Sequence, residues 1–125
     1  MSDMRQMRAM PHVIEMMGRR RKTLEVRVEY PGYARIRAGD HIRFFSSVKN
    51  AVVVKVLEVR RYATIAGVFA CEPWEKIAPD FSSKDAAYAI LRKIYPPEKE
   101  KLGMMVFEIE PVSEVESIGA QAQHA

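Results

Sequence analysis

Polar and apolar side chains alternate regularly over residues 23–29. Thr23, Glu25 and Arg27 occupy every second position, and the positions between them hold leucine or valine. Successive side chains of a β-strand point to opposite faces of the sheet. The segment therefore predicts a strand whose apolar face packs on a core, with Thr23, Glu25 and Arg27 together on the other face.

In the rest of the chain, apolar residues recur either at helical spacing or at the alternating spacing of strands. Helical spacing of apolar residues predicts three helices, over 11–19, between Thr64 and Pro73, and from Ser82 to Tyr95. Further strands are predicted over 41–45, 51–61 and 104–109. The valine-rich run 51–61 is typical of a strand buried on both faces. This order predicts an α+β fold, a small and partly open β-barrel of about five strands with about three packed helices.

The two ends of the chain lack these patterns. Residues 1–10 alternate methionine with polar groups and have no strong helix cap, so we expect a flexible N-terminal arm. Residues 113–125 are small and polar, and we expect a disordered tail. A chain of 125 residues is one domain by length, which we assign to residues 11–112.

Composition narrows the class of protein. Hydrophobic residues make up 48% of the chain and charged residues 29%, as in a globular protein. No apolar run is long enough to span a membrane, and no secretory signal is expected. Cys71 is the only cysteine, which excludes an internal disulfide and fits a reducing, cytoplasmic location.

The excess positive charge lies in the first third of the chain. The formal net charge is +4. Residues 1–37 hold nine Lys or Arg and four acidic residues, a balance of +5, whereas the remainder holds eleven against twelve, a balance of −1. Such asymmetry suits a phosphate-bearing partner, and it is equally compatible with a general solubility feature.

The sequence offers little metal or nucleophile chemistry. His12, His41 and His124 are scattered, and none pairs with Cys71 or with acidic residues at ligand spacing. The chain contains no glycine-rich phosphate loop and no Ser nucleophile elbow. We therefore expect no metal and no cofactor. Any catalysis has to use lysine, threonine, tyrosine and carboxylate side chains.

The run around residue 22 resembles a family signature. Lys22, Glu25 and Arg27 match the last three fixed positions of Gly-x-Lys-x-x-Glu-x-Arg, the signature of the ASCH (activating signal cointegrator homology) domain of the PUA-like group. Gly18 lies four residues before Lys22 instead of two. Two later segments are also similar, Ile-x-x-Gly-Asp-x-Ile-x-Phe at 36–44 and Ile-Tyr-Pro at 94–96. The resemblance implies a PUA-like barrel with a cleft between barrel and helices.

The resemblance implies binding of RNA or a nucleotide in a basic cleft. The residues expected to contact phosphate are Arg19, Arg20, Arg21 and Lys22. Arg27 and Tyr62 would offer a stacking surface for a base, and Glu25 would accept hydrogen bonds from a base amino group or orient Arg27. The alternative for Tyr62 is an aromatic side chain packed at the barrel rim. We expect these side chains to face a shared cleft with Tyr62 at its margin.

The same resemblance supplies an alternative, a hydrolase acting on a modified nucleoside or on RNA. The family includes amidohydrolases of acetylcytidine that use a lysine, a threonine three residues later and a glutamate. Here Glu25 stands at the threonine position, and Thr23 directly follows Lys22. Lys22, Thr23 and Glu25 are the catalytic candidates, with the further acid left open between Glu72, Glu75 and Asp80. A third possibility is a protein-interaction domain with a vestigial cleft.

Overall fold

The computed structural model describes residues 4–46 and 50–117. In these ranges the chain forms six strands and five helices. In chain order they are β1 (Met4–Arg8), α1 (Pro11–Gly18), β2 (Leu24–Val28), β3 (His41–Phe45), β4 (Asn50–Tyr62), α2 (Ile65–Cys71), α3 (Trp74–Ile77), α4 (Lys84–Ile94), α5 (Pro97–Glu100), β5 (Met104–Pro111) and β6 (Glu116–Ser117).

The strands form a single sheet that curls into a half-barrel. Its order is β1-β3-β4-β5-β2, and the short β6 pairs with the start of β4. The β1–β3 pair is parallel and the other pairs are antiparallel. The predicted α+β fold, a PUA-like half-barrel with packed helices, is confirmed.

Apolar side chains pack on both faces of the sheet. One core cluster lies against α1 and includes Phe44 of β3 and Phe107 of β5. The second lies against α2, α3 and α4 and includes Val26 of β2 and Val106 of β5. Strand β5 serves both clusters because its successive side chains point to opposite faces. The apolar face predicted for β2 is therefore buried, as expected, and the opposite face of β2 carries Glu25 and Arg27.

The segment assigned to a flexible arm contains a strand. Residues 4–8 pair in parallel with His41–Phe45, and Met7 is buried in the first core cluster. A parallel partner is distant in sequence, so the local pattern of methionines does not reveal it. At the other end, Glu116–Ser117 pairs with β4, and the rest of the predicted tail, 118–125, lies outside the described residues. The domain boundaries stay a prediction.

Three local features differ from the expectations. The cap of α4 is Ser83, whose hydroxyl accepts from the Ala86 amide, rather than Ser82. The stretch between Pro73 and Ser82, for which no element is predicted, includes the short helix α3. Strand β4 is buried on both faces only at its start, at Ala51 and Val52, whereas Lys55 and Leu57 further along are exposed. The helix predicted between Thr64 and Pro73 is confirmed as α2, and the Thr64 hydroxyl caps it by accepting from the Gly67 amide at 3.0 Å. No helix within the described ranges is long and apolar enough to cross a membrane.

Candidate functional site

A cleft of about 520 Å³ opens between the sheet and the helices α1 and α4. Strand β2 provides its polar side chains, Lys22 at the strand entrance, Glu25 and Arg27. The walls are mostly apolar and comprise Met10, Val13, Met16, Ile77, Phe81, Ile90, Leu91, Ile94 and Tyr95. The structure thus brings together three of the side chains predicted to share a site.

Lys22 is held by three acceptors. Its Nζ donates to the carbonyl oxygens of Leu24 at 2.8 Å and Ile77 at 2.6 Å. The same nitrogen lies 3.1 Å from Oε1 of Glu25. An ammonium has three N–H donors, so all of them are used. The side chain is 7% exposed and fixed in place, and it does not swing freely over the strand.

Glu25 and Arg27 form a closely bonded pair on the same strand face. Nε and Nη2 of Arg27 each lie 2.7 Å from Oε2 of Glu25. Nη2 also donates to the carbonyl of Arg8 on β1 at 2.9 Å. The guanidinium carbon is 5.7 Å from the centre of the Phe44 ring, so the cation also packs over an aromatic face of the first core cluster.

This arrangement favours the charged forms of Glu25 and Arg27. Burial by itself raises the pKa of Glu25, but the charges of Lys22 and Arg27 outweigh it and hold that pKa below its usual value. Burial lowers the pKa of Arg27, and the adjacent Glu25 carboxylate more than offsets this and raises it. The base of the cleft is therefore a fixed cation–carboxylate–cation cluster.

Tyr95 is a cleft residue that the site prediction left out. It follows α4, lines the cleft, and burial raises its pKa to about 12, with Arg27 acting in the opposite direction. Its hydroxyl is therefore neutral at physiological pH. The sequence signal for Tyr95 is its place in the Ile-Tyr-Pro similarity at 94–96, which indicates the fold but not the site.

Three large apolar side chains at the mouth of the cleft are strongly exposed to solvent. Met10 is 63% exposed, Ile90 40% and Ile94 53%, and all three line the cleft. Polar groups lie nearby, where Nε2 of His12 is 3.6 Å from Oδ2 of Asp80. Exposed apolar surface beside a concave site is a feature of ligand and partner binding sites.

The three arginines lie on the turn between α1 and β2, outside the cleft lining. All are exposed, and Arg19 is 3.7 Å from Glu15. Arg20 has φ = 62°, the left-handed conformation that commonly ends a helix. The Lys, Arg, Asp and Glu side chains that line the cleft are Lys22, Arg27, Glu25 and Asp80, so their formal charges cancel. The positive charge expected for the cleft is on the neighbouring turn.

A second cavity, of about 450 Å³, receives other predicted residues. Thr23 and Arg20 line it, together with Arg60 and Glu72. Arg60 binds Glu72 through two bonds of 2.6 and 2.9 Å, and it also binds Glu108 at 2.9 Å. The other candidate acids are apart from one another, with Glu75 exposed and Asp80 at the cleft.

Tyr62 points to this ion network rather than to the cleft. Its hydroxyl donates to Glu72, and that bond raises the pKa of Tyr62 to about 12. The bond from Arg60, opposed by partial burial, holds the pKa of Glu72 below its usual value. In the described residues no group of three or more His, Cys, Asp or Glu side chains is arranged to hold a metal ion.

A curled half-barrel with packed helices and a cleft between the sheet and the helices is the ASCH-domain architecture, so the resemblance is confirmed at the level of the fold. The ASCH structure from Zymomonas mobilis matches 96% of this chain and 77% of its own, with 12% identity and a TM-score of 0.63. No protein-family model and no curated protein matches the chain.

Two other solved structures are more similar in sequence. The hypothetical protein PH0355 is 27% identical over 88% of this chain and 99% of its own, with a TM-score of 0.78. Protein PF0455 from Pyrococcus furiosus is also 27% identical, over 88% and 98%, with a TM-score of 0.71. Almost the whole of each of these two proteins is matched, so both share this fold.

Proposed function

We propose that this protein binds RNA or a nucleotide and holds one base in the cleft between β2 and the helices α1 and α4. One observation carries the proposal, the charged cluster of Lys22, Glu25 and Arg27 at the base of an otherwise apolar cleft. Ligand sites of proteins are typically clefts of about 300–1,000 Å³, mostly apolar, with a few fixed polar groups. A nucleobase has the matching chemistry, since its faces are apolar and its edges form hydrogen bonds.

The exposed turn supports a separate role in holding phosphate. Arg20 and Arg21 form no side-chain bond to any described residue, so their guanidinium groups are available to neutralise phosphates. In this proposal Arg19, Arg20 and Arg21 provide affinity without sequence preference, whereas Glu25 and Arg27 select among bases. Lys22 holds Glu25 in position, because its own donors are already used.

The hydrolase alternative has less support from the geometry. Thr23 lines the second cavity, whereas Lys22 and Glu25 line the cleft. A nucleophilic hydroxyl has to share one site with the groups that activate it. We therefore propose binding rather than catalysis. The cytoplasmic location expected from the single cysteine fits an RNA ligand and belongs to the same proposal.

A matched pair of substitutions tests the cleft. Ile94 is 53% exposed and lines the cleft, and Leu102 is 52% exposed and does not. Both positions are about half exposed, so we expect each to accept a charged side chain without loss of folding. The substitutions Ile94→Glu and Leu102→Glu change the net charge equally. Fluorescence anisotropy with labelled single-stranded RNA is expected to show at least about tenfold weaker binding for Ile94→Glu, because a carboxylate enters the apolar mouth.

Leu102→Glu is the control and is expected to bind RNA as the unaltered protein does, apart from a small effect of net charge. Equal losses in both variants would show that the cleft is not the site. If the unaltered protein binds no RNA at low salt, the proposal fails and the domain is better explained as a protein-interaction module.

A further inference from the structure

The cleft contains hydrogen-bond donors that no described residue satisfies. Nε and Nη2 of Arg27 are engaged by Glu25 and by the Arg8 carbonyl, but Nη1 donates to no side chain or carbonyl in the described ranges. A guanidinium carries five N–H donors, two of them on Nη1. Glu25, the Arg8 carbonyl and the Phe44 ring hold the guanidinium in place, so these two donors have a fixed position at the base of the cleft.

Tyr95 adds a third donor. Its hydroxyl forms no hydrogen bond with the described part of the chain, although most of the residue is buried in the cleft wall. The hydroxyl is close enough to Arg27 and Glu25 for both charges to act on it. It remains protonated at physiological pH, because burial raises its pKa to about 12. A neutral phenol beside a guanidinium can donate to an oxygen that the guanidinium also binds.

Few hydrogen-bond acceptor positions remain on Glu25 at the base of the cleft. Oε2 of Glu25 accepts from Nε of Arg27 and lies 2.7 Å from Nη2 of the same guanidinium, and Oε1 is in an ion pair with Nζ of Lys22 at 3.1 Å. A carboxylate oxygen accepts about two hydrogen bonds, so only one position, on Oε1, is left. Apart from the Asp80 carboxylate beside His12, the base of the cleft therefore offers about three donors and one carboxylate acceptor position to a ligand. That balance favours a ligand edge dominated by an acceptor.

We propose that the cleft selects bases that present a carbonyl oxygen, held jointly by Nη1 of Arg27 and the hydroxyl of Tyr95, and that Tyr95 is the specificity-determining residue. The proposal rests on the proposed function and names its ligand class. Oxo bases such as hypoxanthine, guanine and uracil place a carbonyl oxygen beside a ring N–H, which suits the remaining acceptor on Glu25. An amino base such as adenine places an NH₂ group where the donors lie, and that group cannot accept from them.

The experiment compares short RNA oligonucleotides that differ only in one base edge. Oligo-inosine and oligo-adenosine have the same backbone and the same ring size, so phosphate contacts contribute equally to both. Anisotropy titrations are expected to give at least about tenfold tighter binding of oligo-inosine, since a hydrogen bond to a charged group is worth one or more factors of ten. A third oligonucleotide of unsubstituted purine riboside, which lacks the carbonyl, is expected to bind as oligo-adenosine does.

The variant Tyr95→Phe removes one hydroxyl and keeps the ring that packs in the wall. It is expected to lower the affinity for oligo-inosine about threefold to tenfold and to leave the affinity for oligo-adenosine unchanged. Tyr62→Phe is the matched control, because it removes a tyrosine hydroxyl that bonds Glu72 outside the cleft. It is expected to change neither affinity. Thermal melting of both variants confirms that they are folded.

The outcomes separate this inference from the proposed function. Equal binding of the two oligonucleotides, or an inosine preference that persists in Tyr95→Phe, overturns the inference alone, provided that Ile94→Glu still weakens binding. Absence of binding to every oligonucleotide overturns both proposals. A preference for oligo-inosine that Tyr95→Phe removes and Tyr62→Phe retains supports the inference.

Discussion

The side chain of Arg27 on β2 bonds the carbonyl of Arg8 on β1 at 2.9 Å. These strands are the two ends of the sheet order, so one guanidinium joins the two edges of the half-barrel. The same guanidinium neutralises Glu25 at the base of the cleft. The integrity of the sheet and the geometry of the site therefore depend on one side chain.

Arg27→Gln is expected to destabilise the fold by about 3 kcal/mol, because it leaves Glu25 buried with only Lys22 as a counter-charge. Arg61 offers a matched control, since its Nε bonds Glu29 at 3.0 Å and its Nη2 bonds the Ala34 carbonyl at 2.9 Å, on a more exposed surface. Arg61→Gln is expected to cost less than about 1 kcal/mol. Urea denaturation measures both, and equal losses would contradict the importance assigned to the buried pair.

Stability is expected to fall at acidic pH through Glu25. The pKa of this group is lowered by folding, so its contribution is fully present above the unfolded value near 4.5 and is lost as the pH falls through the folded value. The difference in unfolding free energy between the unaltered protein and Glu25→Gln should therefore shrink as the pH falls below about 5. Denaturation series at several pH values measure this difference. A constant difference would show that the Glu25 charge contributes no stability.

Arg20→Gly is expected to stabilise the protein by about 1 kcal/mol. Arg20 has φ = 62°. This conformation costs a residue with a Cβ atom roughly 1–2 kcal/mol of free energy, and it carries no such cost for glycine. Arg21→Gly removes the same charge from the next position, where φ is not positive. Thermal melting should show a rise for Arg20→Gly and none for Arg21→Gly. A rise in both would indicate relief of charge repulsion in the turn instead.

Replacing Arg19, Arg20 and Arg21 together by alanine is expected to weaken binding of unrelated RNAs alike. The slope of log affinity against log salt should flatten by up to about three phosphate contacts. Glu25→Ala should leave that slope unchanged and alter only the preference among ligands. The control replaces three exposed lysines near α4 and α5, Lys93, Lys99 and Lys101, by alanine.

Titrations at several salt concentrations measure these slopes. If the lysine variant flattens the slope as much as the arginine variant, the effect is one of net charge and the turn has no special role. An unchanged slope in the arginine variant would identify the three arginines as ordinary solubilising residues.

The sequence by itself determined the elements and the faces of the strands. Alternation at 23–29 placed Glu25 and Arg27 on one face of β2 because side-chain direction in a strand depends only on local backbone geometry. Helical spacing and the Thr64 cap located α2 for the same reason, since a cap is satisfied within one turn. The common cleft position of Lys22, Glu25 and Arg27 followed from their nearness in sequence.

Tertiary structure decided the contacts between residues that are distant in sequence. The curl of the sheet brings the Arg8 carbonyl to Arg27, and α3 brings the Ile77 carbonyl to Lys22. Tyr95 enters the cleft because α4 packs across it, whereas Tyr62 turns away to Glu72. Sequence spacing does not predict such long-range contacts, because they depend on how helices and strands pack and on which partner best satisfies each buried polar group.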